Sequence, residues 1–350
     1  MLTQEQLITN VVEEVLTRLH PATAEPATPG RPALADAVSG AVPGAVPGAG
    51  VFQAVDAAVD AATTAQQQLA VAGLEVRDGI CKLLKQISRE NAEEWGRIEF
   101  EETKIGRLDH KIVKLELLEA VPGVEFLRTV AHSGDHGISL DEAAPWGVLG
   151  VITPVTHSIP TLTSNAISML AAGNAMVVNP HPGGAKCAAM AAAVYNHAIK
   201  QKFNVGPLIC VIDPPTLRTA EEIFRHERIP LLAVTGGPGV ARAAMKQSKR
   251  AIVAGPGNPP VVIDETADFD NAARSIIAGA AFDNNLLCIG EKEVFVVESV
   301  FDHVMDAMRR AGAVELNVEQ VEQLADKAFT HEEDHYAVNK EAVGADPQVL

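Results

Sequence analysis

The run Gly147-Val148-Leu149-Gly150-Val151-Ile152-Thr153-Pro154-Val155-Thr156-His157 decides how the rest of the chain is read. Its first six residues are small or apolar with no alternation, the pattern of a strand buried on both faces, as parallel sheets require. Outward from it, a helix is expected over Leu162–Ala172 with Gly173 as its C′ residue. Strand 175–178, helix 186–200, strand 208–212, a helix near 220–224, strand 229–235 and a helix from Val240 follow. Strand and helix alternating across short loops predict an α/β fold, a parallel sheet with helices on both faces. In such sheets ligands sit at the carboxyl ends of the strands. The exits to watch are therefore Thr153–His157, Asn179-Pro180-His181-Pro182-Gly183-Gly184, Asp213-Pro214-Pro215 and Thr235-Gly236-Gly237-Pro238-Gly239.

The last exit has a physical use. Glycines between strand and helix let backbone N–H groups and a helix N-terminus approach a phosphate. The spacing G-x-G-x-x-G is not met, because Arg242 stands where the third glycine belongs after Gly237 and Gly239. By itself the motif is either a phosphate cradle or a tight turn.

Upstream, from Val51 to about Ile138, the pattern is mostly helical. Val55, Val59, Ala62 and Leu69 share one face, and a second helix is expected over 76–88. Further helical stretches cover 91–105 and 111–118, and Pro122-Gly123 ends them. His110 and His136 read as surface histidines, with Asp135-His136-Gly137 as a turn.

Composition narrows the function. A chain of 350 residues has room for about two domains. A net charge of −17 with no basic cluster beyond Lys246, Lys249 and Arg250 argues against a nucleic-acid groove. The four cysteines form no C-x-x-C pair and follow no signal peptide, which fits free thiols in a reducing compartment and neither disulfides nor a zinc site. Apolar runs stop well short of the roughly 20 residues that span a bilayer.

Residues 1–20 form a unit of their own. Thr3 and Gln6 have capping-box spacing, and Leu7, Ile8, Val11, Val12, Val15, Leu16 and Leu19 make one apolar stripe that Pro21 stops. Residues 21–50, rich in Pro, Ala and Gly, read as a partly extended tether. A tethered amphipathic helix must cover its apolar face on its own body, on a copy of itself, or on a partner.

The remaining candidate is Cys288, within Ala281-Phe282-Asp283-Asn284-Asn285-Leu286-Leu287-Cys288-Ile289-Gly290 and before the apolar strand Val294–Val297. Asn284 and Asn285 favour turns, so the cysteine is expected on a bend. There it is either a small buried hydrophobe or a nucleophile whose thiolate attacks carbonyl carbon. Cys187 and Cys210 fall in apolar helix and strand contexts and read as core.

Taken together, Thr153–His157, Asn179–Pro182, Thr235–Gly239, Gly255-Pro256-Gly257-Asn258-Pro259-Pro260 and the Cys288 stretch resemble the aldehyde dehydrogenase superfamily, in particular its CoA-acylating branch. The resemblance implies a nucleotide-binding domain at 51–260 and an incomplete catalytic domain at 261–350. It implies that residues 1–20 are an encapsulation helix that docks on the shell of a bacterial microcompartment in the cytoplasm, and that the full-length protein is a homo-oligomer. Cys288 takes the family's nucleophile position. Thr156 takes the side-chain oxyanion position where hydrolytic members place Asn, with His157 as the alternative. NAD and CoA are implied to share a cleft touching Thr153, Pro154, Val155, Asn179, His181, Pro182, Thr235, Gly236, Gly237 and Gly239. His181 stands open between an adenosine contact and a plain loop histidine.

Two departures matter. Hydrolytic members carry a Glu-Leu-Gly-Gly stretch whose glutamate activates water, whereas the matching stretch here is Val253-Ala254-Gly255-Pro256-Gly257. The family also continues past the point matching Leu350, so a fragment is expected. The implied reaction oxidises a short-chain aldehyde, of the propionaldehyde or acetaldehyde class, to acyl-CoA through a thiohemiacetal and a thioester on Cys288. Hydrolytic or phosphate-dependent chemistry on the same fold, or a non-enzymatic chain that only docks to a shell, are the alternatives.

Overall fold

The structure, a computed structural model, describes residues 50–350 apart from residues 256, 333 and 334, and leaves aside the side chains of residues 331–335. The expected helix at 1–20 and nearly all of the tether at 21–50 lie outside the described residues. The described chain falls within one compact unit, Ala45–Leu350.

Six parallel strands form the central sheet: β1 (Val51–Phe52), β4 (Val148–Thr153), β5 (Ala175–Pro180), β6 (Ile209–Ile212), β7 (Leu231–Thr235) and β8 (Arg250–Ala254). Their order is β1-β6-β5-β4-β7-β8. From β4 the chain steps outward to β5 and β6, then crosses back to β7 and β8 on the other side. The order thus reverses at β4, and a doubly wound sheet opens its ligand crevice at such a reversal. Every residue of β4 and β5 is buried, as expected for strands covered on both faces. Leu149 faces Met176 on one side and Leu231 on the other.

Helices cover the sheet. α1 (Val55–Glu90) is the expected pair of helices merged across Gly73, whose φ of 83° is left-handed backbone that glycine adopts without strain. α2 (Ala92–Thr103) and α3 (Leu108–Glu116) follow it. α4 (Ser158–Ala171) starts four residues before its expected Leu162. Pro160 is tolerated there because first-turn N–H groups have no intrahelical acceptor to lose. α5 (Ala185–Phe203), α6 (Leu217–Arg225) and α7 (Pro238–Met245) fill the remaining crossovers.

The region before β4 is less helical than its pattern predicts. β2 (Val130–Gly134) and β3 (Gly137–Asp141) pair as an antiparallel hairpin around the expected turn at Asp135-His136. All ten of its residues are exposed, so no buried face imposed the period-2 pattern that would have announced it.

Beyond the sheet, β9 (Pro260–Ile263) pairs in parallel with β10 (Glu293–Val296). α8 (Phe269–Ala281) and α9 (Phe301–Arg310) pack on them. Ile263, Ile276, Val300 and Val304 make a small core there, separate from the large core around the six-stranded sheet.

Candidate active site

The loop leaving β4 sits at the reversal point. The Thr153 carbonyl accepts a hydrogen bond from the His181 N–H at 3.0 Å, tying this loop to the one leaving β5. A Cβ on Gly183 would stand 3.2 Å from Val155 Cγ2, so Val155, His181 and Pro182 form one rim. Across β4, β7 leads into Gly236 and Gly237, and Gly237 is the N-cap of α7 with Pro238 in its first turn. Nothing lies within 4 Å of where side chains on Gly237 or Gly239 would begin. That open cradle at a helix N-terminus fits the pyrophosphate of a dinucleotide.

Two members of the expected cofactor set behave differently. Asn179 is buried, and its amide is spent on the Thr219 hydroxyl at 2.6 Å and the Thr216 carbonyl at 3.4 Å. It braces the end of β5 against the cap of α6. His181 is exposed, but its Nδ1 accepts the Gly183 N–H at 3.0 Å, and partial burial lowers its pKa. The ring is a neutral acceptor shaping its own loop.

Cys288 does lie on a bend. Phe282–Asn285 form a short 3-10 turn in which Asp283, Asn284 and Asn285 all have left-handed φ, 50°, 53° and 59°. Asn tolerates this region better than most residues, yet three in succession cost conformational energy and persist only when anchored. Each one is. Asn284 Nδ2 donates to the Gly344 carbonyl at 3.0 Å, and Asn285 Nδ2 to the Ala280 carbonyl at 2.6 Å. The Asp283 N–H donates to His110 Nδ1 at 2.7 Å, while its carboxylate accepts the Arg107 N–H at 2.7 Å and Lys114 at 2.5 Å. His110 is therefore no surface histidine. Its ring stacks on Phe282 with centroids 4.3 Å apart, and burial lowers its pKa so that Nδ1 stays an acceptor.

Cys288 is half-buried, whereas Cys81, Cys187 and Cys210 are buried. Burial pushes the Cys81 thiol up to about 11 and those of Cys187 and Cys210 higher still. A thiolate is thereby disfavoured at all three. Gly257, after β8, lies against the bend: a Cβ on it would collide with the Cys288 carbonyl oxygen.

A buried polar chain connects the bend to the loop after β4. Lys114 donates to Asp283 and also to the Thr156 carbonyl at 3.2 Å. Lys111 donates to the same carbonyl at 2.8 Å and pairs with Glu99 at 3.0 Å, and Glu99 accepts the Ile159 N–H at 3.0 Å. Next to Thr156, His157 carries a pKa lowered to about 4, chiefly by burial and then by Lys114 and Lys111. The Thr156 hydroxyl is 3.4 Å from His157 Nε2, and His157 Nδ1 is buried without a hydrogen-bond partner. Sequence reasoning missed Glu99, Lys111, Lys114 and Asp283. The available signal was that Lys111 and Lys114 fall at i and i+3 before Leu115 and Leu118, so lysines occupy core positions of an amphipathic stripe.

The arrangement defines a class of protein: a doubly wound parallel sheet with a half-buried cysteine on a strained bend, fastened to the loop at the sheet's reversal point. The chain belongs to the aldehyde dehydrogenase family, whose profile matches residues 31–328. It is 43% identical over 260 residues to acetaldehyde dehydrogenase (acetylating) of Bilophila wadsworthia, covering 74% of this chain and 54% of that protein. Among solved structures, it resembles a propionaldehyde dehydrogenase from the Clostridium phytofermentans fucose utilisation bacterial microcompartment. There the TM-score is 0.80 at 39% identity, covering 86% of this chain and 68% of that one. It also resembles Rhodopseudomonas palustris propionaldehyde dehydrogenase with bound CoA and an acylated cysteine, with TM-score 0.76, 37% identity and coverage of 81% and 65%. The chain spans about half the length of the curated relatives it matches.

Proposed function

We propose that this chain carries the nucleotide-binding region, at 51–260, and the cysteine-bearing part of the catalytic region, at 261–350, of an NAD-dependent CoA-acylating aldehyde dehydrogenase acting on short-chain aldehydes. The observation that carries the reading is the contact between Gly257 and Cys288. Gly257 lies against the Cys288 carbonyl, and the stretch Val253–Gly257, at the position of the water-activating glutamate of hydrolytic members, contains no carboxylate. A thioester on Cys288 would therefore be cleared by a thiol in preference to water.

Gly236, Gly237 and Gly239 would hold the pyrophosphate of NAD, with Val155, His181 and Pro182 along the other rim and Thr153, Pro154 and Thr235 at the strand ends between them. Bound there, NAD⁺ supplies the acceptor for a hydride. Cys288, as thiolate, forms a C–S bond to the aldehyde carbon, and the carbonyl electron pair moves onto oxygen. The Cys288 backbone N–H and the Thr156–His157 loop take that oxyanion, either through the Thr156 hydroxyl or through the neutral His157 imidazole. Loss of hydride leaves Cys288 acylated. The CoA thiolate then bonds to the acyl carbon, the bond to Cys288 breaks, and the Cys288 thiolate is restored. The relatives support this order, since one was solved with CoA and an acylated cysteine. Residues 1–20 are read as the helix that docks on a microcompartment shell in the cytoplasm, and the full-length protein as a homo-oligomer.

The test omits CoA. In the full-length protein, aldehyde and NAD⁺ are expected to give a burst of NADH near one equivalent per Cys288 and then stall, because a missing general base typically costs about 10²–10⁴-fold. Added CoA restarts turnover with acyl-CoA as product. Steady NADH with free acid and no thiol would make this a hydrolytic enzyme. No burst at all would favour the docking-only alternative.

A further inference from the structure

Four charges are buried between α2, α3, the loop after β4 and the cysteine bend. The side chains of Lys111 and Glu99 are each 1% exposed, and those of Lys114 and Asp283 are 7% and 0% exposed. Taking ion pairs out of water is costly, and apolar side chains of similar volume often stabilise a fold as well or better. Stability alone is a weak reason for them. What apolar contact cannot give is direction: it is indifferent to angle, whereas hydrogen bonds fix both distance and orientation.

The two lysines share one acceptor but differ in what else they hold. Both donate to the Thr156 carbonyl, so the peptide joining Thr156 to His157 is gripped from two sides. Lys111 turns back to Glu99, within the same group of helices, and Glu99 in turn receives the first turn of α4. Lys114 reaches across to Asp283, the first of the three left-handed residues. Lys114 is thus the one ammonium among the described residues that touches both the Thr156 carbonyl and the cysteine bend.

We propose that Lys114 is a positioning residue: by bonding Asp283 and the Thr156 carbonyl at once, it fixes the loop after β4 relative to the bend that carries Cys288. The inference deepens the catalytic reading, on which its turnover arm rests. Its thiol-labelling arm does not. Without the bridge, the left-handed bend loses one of its anchors and relaxes, exposing the thiol while misplacing it for attack. Labelling becomes faster as hydride transfer becomes slower, a combination that simple destabilisation does not give.

The test compares the chain with Lys114→Met, Asp283→Asn and the double variant, reading melting temperature and iodoacetamide labelling of each cysteine by peptide mass spectrometry. Each single variant leaves a buried group unpaired and melts lower, while the double variant regains most of the loss. Well below its melting temperature, the double variant is expected to label Cys288 about fivefold faster than wild type. Buried Cys81, Cys187 and Cys210 stay unlabelled and report that the body is closed. Lys111→Met with Glu99→Gln, which spares the bridge, labels Cys288 at the wild-type rate. If the bridge double variant does not fold, Lys114→Gln is the milder substitute and labels faster in the same way. Made in the full-length protein, the double variant slows the burst with aldehyde and NAD⁺ about 10²-fold with NAD⁺ affinity unchanged, as misplacement of a reacting group predicts. A bridge double variant that labels at the wild-type rate overturns the proposal. So does a Lys111/Glu99 variant that accelerates labelling equally. Full-length wild-type protein that labels at Cys288 but gives no burst rejects the enzymatic reading and leaves the labelling comparison standing.

Discussion

His157 shows how burial chooses the state of a single residue. Its pKa falls from 6.5 to about 4, chiefly because burial disfavours the imidazolium, with Lys114 and Lys111 adding to the effect. The unfolded chain therefore binds the proton more tightly than the folded one between those two values. Stability from this group is complete above about pH 6.5 and is lost as pH falls toward 4. By pH 5 the loss is roughly 2 kcal/mol. Comparing denaturant midpoints of wild type and His157→Gln at pH 7 and pH 5 isolates it, since the variant lacks this component of the acid loss. Equal acid sensitivity of the two would show that His157 is not held neutral by the fold. At neutral pH the ring is uncharged and offers hydrogen bonds without charge, as the proposed oxyanion role requires. Cys288 makes the complementary case. Its residue type does not separate it from the other three cysteines, but its half-exposed bend does. In the full-length protein Cys288→Ala is expected to abolish the NADH burst, while Cys81→Ala, Cys187→Ala and Cys210→Ala act only through stability. A normal burst from Cys288→Ala would reject the nucleophile assignment.

At the scale of elements, the site is made by loops lying on one another. β8 and β9 are joined by the stretch that places Gly257 against the Cys288 carbonyl. Gly257→Ala must push the bend aside, with an expected stability cost of about 1–3 kcal/mol. Its effect on the burst rate is expected to reach about 10²-fold, because a small misplacement of a reacting atom is costly. Stopped-flow NADH traces with aldehyde and NAD⁺ measure it. An unchanged burst would mean that the contact is incidental to catalysis. The alternation of strands and helices was legible because buried parallel strands must be continuously apolar. The hairpin at 130–141 was not, because a fully exposed pair of strands needs no apolar face. α4 begins earlier than its apolar pattern suggests because Ser158, although polar, is buried and donates to the Gly184 carbonyl at 2.8 Å.

For the whole molecule, the expectation is that residues 1–20 act independently of the body. Their apolar stripe is separated from Val51 by a tract too rich in Pro, Ala and Gly to build a core. Deleting them is expected to leave the melting temperature within a degree or so while abolishing co-purification with microcompartment shells. A large drop in melting temperature would assign the helix to the body. The sequence by itself determined the parallel sheet with helices on both faces, the glycine-rich exit of β7 and the bend at Cys288. Each of these is written in local terms, as apolar continuity, glycines between strand and helix, and turn-forming Asn residues. Only the tertiary structure decided that Asn179 braces α6 and that His110 accepts the Asp283 N–H. It also decided that Lys111 and Lys114 meet at the Thr156 carbonyl. Those contacts join residues from about 40 to more than 170 positions apart, and a local pattern carries no term for a buried charge whose partner is so far along the chain.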